Sequence, residues 1–304
     1  MLSFFLPEIT DRQWIDPYFR FTNSRACEYN FVNLLIWREK YQQKVTRIGE
    51  TLVVQIRGSL GHSYFYPVGP GDRRYAVEAL AEDAAGHGEA LRFICLCAEH
   101  AEELEGFFPG RFTFAQERDS FDYLYAIEEL SELVGKRFQP KRNHINRFIV
   151  EHPDWHAERI TTDTLCACMD MADAWYQGHG DAAQAESFAD ERAALFIAAA
   201  HFTEMALDGI LIRVGEQIVA FAIGQQTTQD TFNVFFEKAY ADIQGAYAIV
   251  NREFARHIRT QYAGISLINR EDDMGLEGLR KAKESYHPVR MEEKYYALEN
   301  PARG

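Results

Sequence analysis

The sequence predicts an α/β protein, of the α+β kind, built from two similar halves. Its 304 residues, 47% of them hydrophobic and 13% aromatic, can bury a large core and form roughly two domains of about 150 residues each. Predicted strands alternate with amphipathic helices, and the order hairpin, strand, helix, strand, helix occurs twice. Each half is therefore expected to contain a mixed, mostly antiparallel sheet flanked by helices.

In the first half, apolar residues from Phe31 to Trp37 recur at near-helical spacing, and Gly49-Glu50 is the predicted turn of a hairpin. A third strand ends at Tyr66 and is followed by a helix through Tyr75 and Leu80. The remaining predicted elements are a strand at Leu91 to Leu96, a helix at Glu99 to Phe107 and a second hairpin across Arg111 to Tyr125.

The second half is predicted to repeat this order. A packing helix from about Glu186 to Leu207 precedes it, and Gly215-Glu216 is the turn of its hairpin. A helix follows Gly245, with Tyr247, Val250, Phe254 and Ile258 on its buried face. The predicted strands are Gly209 to Val214, Gln217 to Gly224, 232 to 238, 264 to 269 and Met291 to Leu298.

A basic segment joins the halves. Residues 135–148 contain five Lys or Arg and no acid, and Pro140 suits the first turn of a helix. The predicted domains are accordingly 1–134 and 135–304. The basic face is either simply solvated or directed at phosphates, and both interpretations remain open at this point.

Charge and cysteine content narrow the classes of function. The formal net charge of −14 disfavours broad adhesion to nucleic acid or anionic membranes, so a polyanion would have to meet a local basic patch. Five cysteines and a start without a basic leader favour a cytoplasmic protein. The pairs Cys95/Cys97 and Cys166/Cys168 are interpreted as buried thiols, and no metal site is predicted. No apolar run reaches the ~18 residues that a transmembrane helix requires.

The loop before the helix at Gly245 is the first candidate for ligand binding. A glycine there permits close backbone approach, and a helix N-terminus attracts a pyrophosphate or a carboxylate. This position and the element order resemble acyltransferases of the GNAT superfamily, whose loop reads Gln/Arg-x-x-Gly-x-Gly/Ala. The stretch Asp242 to Tyr247 departs from that pattern, with an acid first and a tyrosine last.

A more specific resemblance extends from about Asp122 to Tyr295, and more loosely over the first half. It is carried by Asp122 to Tyr125, Gly135 to Arg137, Lys141 to Asn143, Glu237 to Ala239, Gly245 to Tyr247, Asn251 to Phe254, Asn269 to Gly275, Leu279 to Lys283 and Ser285 to Pro288. These blocks resemble the family of unknown function described as the phosphatidylglycerol lysyltransferase C-terminal domain.

The resemblance implies two tandem GNAT-like domains related to the Fem peptidyltransferases. It also implies transfer of an aminoacyl group from a charged tRNA, bound at a local basic patch, to a small-molecule or lipid headgroup acceptor. The co-substrate would be aminoacyl-tRNA or acyl-CoA. Two alternatives stay open, a coenzyme A dependent N-acetyltransferase and a noncatalytic descendant that binds a ligand or partner.

Acyl transfer requires a base for the acceptor, donors for the developing oxyanion, and positive charge for a phosphorylated leaving group. The predicted catalytic residues are Glu237, Asp272 and Tyr286. The predicted substrate-binding residues are Lys136, Arg137, Lys141, Arg142, Asn143, Lys238, Gln244, Gly245, Asn269, Arg270, Arg280 and Lys283. Each also has a structural interpretation, as a member of a surface ion pair or of a turn that caps a helix.

Overall fold

The computed structural model describes residues 1–58, 61–178 and 185–301, and the chain divides into two compact units. The first unit contains residues 1–122, 272–277 and the segment from Met291 onward; the second contains Tyr123–Glu271 and Gly278–Arg290. The predicted domain division at residues 134 and 135 stays a prediction. By contacts, the chain enters the second unit at Tyr123 and returns to the first unit twice.

The strands of the described residues are β1 (Lys44–Ile48), β2 (Thr51–Gly58), β3 (Gly61–Phe65), β4 (Arg92–Leu96), β5 (Phe112–Gln116), β6 (Asp122–Ala126), β7 (Trp155–Arg159), β8 (Asp208–Val214), β9 (Gln217–Gln226), β10 (Thr231–Ala239), β11 (Leu267–Asn269), β12 (Arg290–Glu292) and β13 (Tyr295–Glu299). The helices are α1 (Arg12–Ile15), α2 (Phe31–Ile36), α3 (Arg38–Tyr41), α4 (Arg73–Gly86), α5 (Ala98–Phe107), α6 (Ile127–Glu132), α7 (Gln139–Glu151), α8 (Thr162–Gly178), α9 (Ala185–Ala200), α10 (Ala246–Gln261) and α11 (Glu277–Glu284).

The repeated element order predicted from the sequence is confirmed. In the first unit, β1, β2 and β3 are antiparallel neighbours, and α4 connects β3 to the parallel strand β4. In the second unit, β8, β9 and β10 are antiparallel neighbours, and α10 connects β10 to the parallel strand β11. Both sheets are therefore mixed and flanked by helices, as the fold class predicts.

The strand order is β1-β2-β3-β4-β13-β5 in the first sheet and β12-β6-β11-β10-β9-β8-β7 in the second. The core of the first unit packs Val77 and Leu80 of α4 against Tyr64 and Phe93. The apolar faces of a sheet and of a helix are both removed from water when they pack together. Accordingly, α4 covers the first sheet and α10 covers the second.

Two strands pair differently from the prediction. The expected hairpin across Arg111 to Tyr125 is wrong, since β5 pairs with β13 and β6 pairs with β11. The last strand, expected in the second half, instead joins the first sheet between β4 and β5. Burial explains the choice. Residues 122–125 of β6 are all buried and suit an interior position, whereas β5 has a single buried residue, Phe112, and suits an edge.

Gly245 is required by helix packing. It precedes α10 with φ +89°, and a Cβ atom there would lie 2.5 Å from the carbonyl oxygen of His144 and 2.9 Å from Cβ of Phe148. Both neighbours belong to α7. The close approach anticipated for a ligand is therefore made by a helix of the same unit. Tyr247, expected on the buried face of α10, is 38% exposed, and the adjacent Ala248 is buried instead.

Replacing Gly245 with alanine is expected to lower the free energy of unfolding by about 1 to 3 kcal/mol, because the backbone lies in a strained region for alanine and the methyl group overlaps α7. Denaturant unfolding of the purified chain measures the change. Gly106→Ala is the matched control: it lies in α5 with nothing within 4 Å of the added Cβ, and should stabilise by about 0.5 to 1 kcal/mol. Equal effects of the two substitutions would contradict the packing argument.

None of the five cysteines, all of which lie in the described part of the chain, forms a disulfide bond. Cys97 and Cys168 are buried as expected, Cys95 is half-buried, and Cys166 is exposed, so the buried-thiol interpretation is wrong for Cys166. The helix predicted from Glu186 to Leu207 ends earlier, at Ala200.

Candidate active site

Glu237 stands near the end of β10, where two side chains hold its carboxylate. Arg270, which follows β11, donates from Nη2 to Oε1 at 3.0 Å. Asn251 of α10 donates from Nδ2 to Oε2 at 3.2 Å. The arrangement follows from the β10-α10-β11 crossover, since neighbouring parallel strands end at the same edge of a sheet.

Two cations lie over the ring of Tyr286, which follows α11. Nζ of Lys141, from α7, is 3.9 Å from the ring centroid, and the guanidinium carbon of Arg270 is 4.9 Å from it. That guanidinium is also 5.7 Å from the ring of Tyr125 in β6. The Glu237 cluster is defined as Tyr125, Lys141, Glu237, Asn251, Arg270 and Tyr286, all within the second unit.

Burial sets the protonation of the cluster. Burial, with the charge of Arg270 beside it, lowers the pKa of Lys141 to about 8, although Glu237 acts in the opposite direction. Burial also raises the pKa of Tyr286 above its ordinary value, with Arg270 opposing. Near neutral pH the cluster thus offers a neutral phenol and an amine close to its titration point.

The two side chains that hold Glu237 each keep one buried atom without a hydrogen-bond partner among the described residues. These atoms are Nη1 of Arg270 and Oδ1 of Asn251. A buried polar atom left unpaired costs about 1 to 3 kcal/mol. Seven other buried side-chain atoms of the described residues also lack a partner, but these two belong to the side chains that hold one carboxylate.

The basic segment contributes one member to the cluster, Lys141. Arg142 donates to the backbone carbonyl oxygens of Gly135 (2.8 Å) and Leu133. It therefore holds the segment that follows α6. Arg137 pairs with the carboxylate of Glu129. The structure places Lys136 and Asn143 at exposed positions, where Asn143 accepts a hydrogen bond from Gln139 at 2.7 Å.

Around β11, three predicted residues shape the backbone. Asn269 is buried, and its Oδ1 accepts from the backbone N–H of Glu271 at 2.6 Å. Lys283 is buried and donates to the carbonyl oxygens of Arg270 and Glu271. Lys283 therefore acts on the cluster through the position of Arg270. Asp272 belongs to the first unit, and its Oδ1 accepts from the backbone N–H of Met274 at 3.2 Å in a turn.

Lys238 is held away from Glu237, because adjacent residues of a strand face opposite sides. It is only 4% exposed, and its Nζ is 2.7 Å from a carboxylate oxygen of Glu191 and 3.9 Å from the ring centroid of Trp175. Gln244 is half-buried in the turn before α10, and Arg280 is half-buried on α11.

Sequence reasoning assigned no role to Asn251 or Tyr125. A signal for Asn251 was present, since it lies between Val250 and Phe254 on the face of α10 that packs inward, where a polar side chain needs a buried partner. Tyr125 gave no such signal, because an aromatic residue in a buried strand normally belongs to the core.

A second ionic cluster lies buried in the first unit. Nζ of Lys294 is 2.7 Å from Glu28 Oε1, 2.7 Å from Asp122 Oδ1 and 3.6 Å from Cys27 Sγ. Burial by itself lowers the pKa of Lys294, but Asp122, Cys27 and Glu28 raise it well above its ordinary value. The Sγ atom of Cys27 and the carboxylate oxygens of Glu28 and Asp122 lie within 4.8 Å of one another, a spacing that could hold a metal ion. In this structure the ammonium group of Lys294 contacts all three residues.

Asp208, the first residue of β8, links β7 to α10 through its carboxylate. Its carboxylate accepts from Arg159 (2.9 Å) and from Tyr262 (2.9 Å), and Nε2 of His257 lies 2.9 Å away. Burial alone raises the pKa of Asp208, but these neighbours together lower it to about 2.

The low pKa of Asp208 predicts an acid-dependent loss of stability. Because the folded-state pKa is depressed, its contribution is present above the ordinary pKa of about 4 and is lost as the pH falls toward 2. We expect the difference in unfolding free energy between wild type and Asp208→Asn to shrink by roughly half between pH 6 and pH 3. Denaturant unfolding over this range checks it, with the exposed Glu216→Gln as a control; a constant difference would contradict it.

Along the described part of the chain, the structure has no helix with the length and apolar character needed to cross a membrane.

The fold is that of a mixed α/β protein with two sheets flanked by helices. The chain belongs to the family described as phosphatidylglycerol lysyltransferase, C-terminal, which matches residues 19–298, and the resemblance drawn from the sequence is thus confirmed. Family and fold relate it to transferases.

Solved structures agree with this assignment. A conserved protein of unknown function from Bacteroides thetaiotaomicron VPI-5482 is 38% identical with a TM-score of 0.91, and the match covers 99% of this chain and 100% of that one. The C-terminal domain of a putative lysylphosphatidylglycerol synthetase from Agrobacterium fabrum is 16% identical with a TM-score of 0.64, over 97% of this chain and 93% of that one. FemX is similar in fold, with 8% identity and a TM-score of 0.60 over 98% of each chain.

Among curated proteins, an uncharacterized protein of Mycoplasmoides gallisepticum is 24% identical over 173 residues, which is 56% of this chain. The match spans about half of that relative, 53% of its length.

Proposed function

We propose that this protein transfers an aminoacyl group from a charged tRNA to an amine or hydroxyl group of a small or lipid-like acceptor. The Glu237 cluster is the observation that carries the proposal. It combines a carboxylate fixed by Arg270 and Asn251 with an amine and a phenol that are partly or wholly removed from water. The family and the fold supply the expectation that the chemistry is acyl transfer.

In the proposed reaction, the acceptor nitrogen or oxygen attacks the ester carbonyl carbon and gives its proton to Glu237. The hydroxyl group of Tyr286 donates a hydrogen bond to the developing oxyanion. The ester C–O bond then breaks, and Glu237 passes the proton to the departing ribose oxygen, which regenerates the carboxylate. Arg270, which donates to Oε1 of Glu237 at 3.0 Å, orients the carboxylate.

Noncatalytic binding is the second candidate. It is favoured by the two hydrogen bonds that already engage the Glu237 carboxylate, since a purely structural carboxylate makes the same bonds. Coenzyme A dependent acetyl transfer is less favoured, because the close approach at Gly245 is made by α7.

Labelled transfer distinguishes these functions. The full chain is incubated with tRNAs charged with labelled amino acids, or with labelled acetyl-CoA, and with amines or phosphatidylglycerol vesicles as acceptors. We expect label to pass from at least one charged tRNA. Transfer from acetyl-CoA alone would overturn the choice of donor, and no transfer from any donor would favour the binding protein.

A further inference from the structure

We infer that the Glu237 cluster contains a subsite for a tetrahedral oxyanion, a phosphate group of a small substrate, formed by Nζ of Lys141 and Nη1 of Arg270. The location of this subsite rests on the proposed function. What is new is that one group of the ligand is a phosphate. Anion binding itself is measurable without any transfer reaction.

The balance of charge in the cluster supports this subsite. Lys141 and Arg270 are the cations and Glu237 is the carboxylate, and both oxygens of Glu237 already accept hydrogen bonds. Among the described residues, no carboxylate lies within 4.0 Å of Lys141 Nζ, whose close contact is the face of Tyr286 at 3.9 Å. One positive charge is therefore left without a counterion at a half-buried position, which is unfavourable until an anion binds.

The unsatisfied atom supports it independently. Nη2 of Arg270 is committed to Glu237, whereas Nη1 is buried and lacks an acceptor among the described residues. Nζ of Lys141 and the guanidinium carbon of Arg270 lie 3.9 Å and 4.9 Å from the centroid of the same Tyr286 ring, so the two cationic groups share one neighbour. An oxyanion that reaches both groups would satisfy both.

The available donors suit phosphate better than carboxylate. A carboxylate is best recognised by two parallel N–H groups of one guanidinium, but one terminal nitrogen of Arg270 is already in use. A phosphate presents oxygens in several directions and can accept separately from a guanidinium nitrogen and from the point charge of a lysine. Free phosphate and the phosphate of a headgroup share this chemistry.

Binding is expected to weaken as the pH rises. The group to be titrated is Lys141, which faces Arg270, Glu237 and the ring of Tyr286, and its pKa is lowered to about 8. Because the anion binds the protonated amine, affinity is full below this pKa and falls above it. Sulfate is the probe of choice since it keeps its charge over this range. Its affinity, measured by titration calorimetry on the full chain, should fall about tenfold from pH 7 to pH 9.

Substitutions distinguish a specific contact with Lys141 from a general electrostatic attraction of the anion to the protein. Lys141→Met should weaken sulfate binding by about tenfold or more at pH 7 and abolish the pH dependence. Lys141→Arg should bind at pH 9 as well as at pH 7, because arginine does not titrate there. Arg147→Met, an exposed cation on the same helix, is the control and should behave as wild type. Thermal melts confirm that each variant is folded.

The source of the phosphate is tested with inorganic phosphate and glycerol phosphate. Tighter binding of glycerol phosphate supports a headgroup, and equal binding supports free phosphate. Acetate should bind at least tenfold more weakly than sulfate. The subsite is overturned if acetate binds as tightly as sulfate, or if wild type, Lys141→Met and Arg147→Met bind sulfate alike.

Glu237→Gln keeps the two proposals distinguishable. Removing the competing carboxylate should leave sulfate binding as tight as in wild type or tighter, although transfer is lost. Sulfate binding without any transfer would refute acyl transfer alone, and transfer without sulfate binding would refute the anion subsite alone.

Discussion

Glu237→Gln is expected to lower kcat/KM for aminoacyl transfer by about 10²- to 10⁴-fold, the usual contribution of a positioned proton acceptor. The amide keeps the shape of the carboxylate and one oxygen that accepts a hydrogen bond, but it cannot take a proton from the acceptor. Steady-state transfer from the donor found active measures the change, and thermal melts check that the variant is folded.

Glu253→Gln is the matched control for this result. Glu253 is a carboxylate of the same unit, is similarly buried, and pairs with Arg252 at 2.7 Å and Arg256 at 3.0 Å. It lies outside the Glu237 cluster, so its loss should leave kcat/KM within about threefold of wild type. Equal losses in both variants would mean that carboxylate removal acts through folding, and full activity in Glu237→Gln would remove its proposed role.

Lys294→Met is expected to lower the free energy of unfolding by about 3 to 5 kcal/mol, the cost of removing one partner from a buried ion pair. The substitution leaves Asp122 and Glu28 without their shared cation, and Oε2 of Glu28 already lacks a partner. Urea unfolding at pH 7 measures the loss.

The exposed Lys136→Met serves as the comparison for Lys294→Met and should change stability by no more than about 0.5 kcal/mol. The double variant Lys294→Met/Asp122→Asn should recover part of the loss, since it also removes a stranded charge. Unchanged stability of Lys294→Met would show that the cluster is not an energetic unit.

Local sequence signals predicted most elements but not all of their partners. The hairpins at Gly49-Glu50 and Gly215-Glu216 form as predicted, because each is decided by a short turn between two apolar runs. The same kind of signal failed between β5 and β6. There the chain does turn, but each strand finds its partner more than 140 residues away, at β13 and β11. A turn signal carries no information on such distant partners.

The sequence also predicted part of the candidate site. Glu237, Lys141, Arg270 and Tyr286 were all predicted from the blocks that carry the family resemblance and from the groups that acyl transfer requires, and the structure brings them together. Their roles remain predictions. Lys238 looked equivalent in sequence, but Glu191, far away in the chain, neutralises it. A sequence shows that a side chain is charged and not which neighbour satisfies it.

The place of β13 between β4 and β5 has a consequence for synthesis on the ribosome. Until residues 295–299 emerge, β5 has no neighbouring strand, and the sheet of the first unit ends at β4. Strands β8 to β11, by contrast, are translated consecutively and can pair early. Although most of the first unit is translated first, it is therefore expected to reach its native state last. A chaperone that binds the chain before then would encounter β4 as an unpaired edge strand.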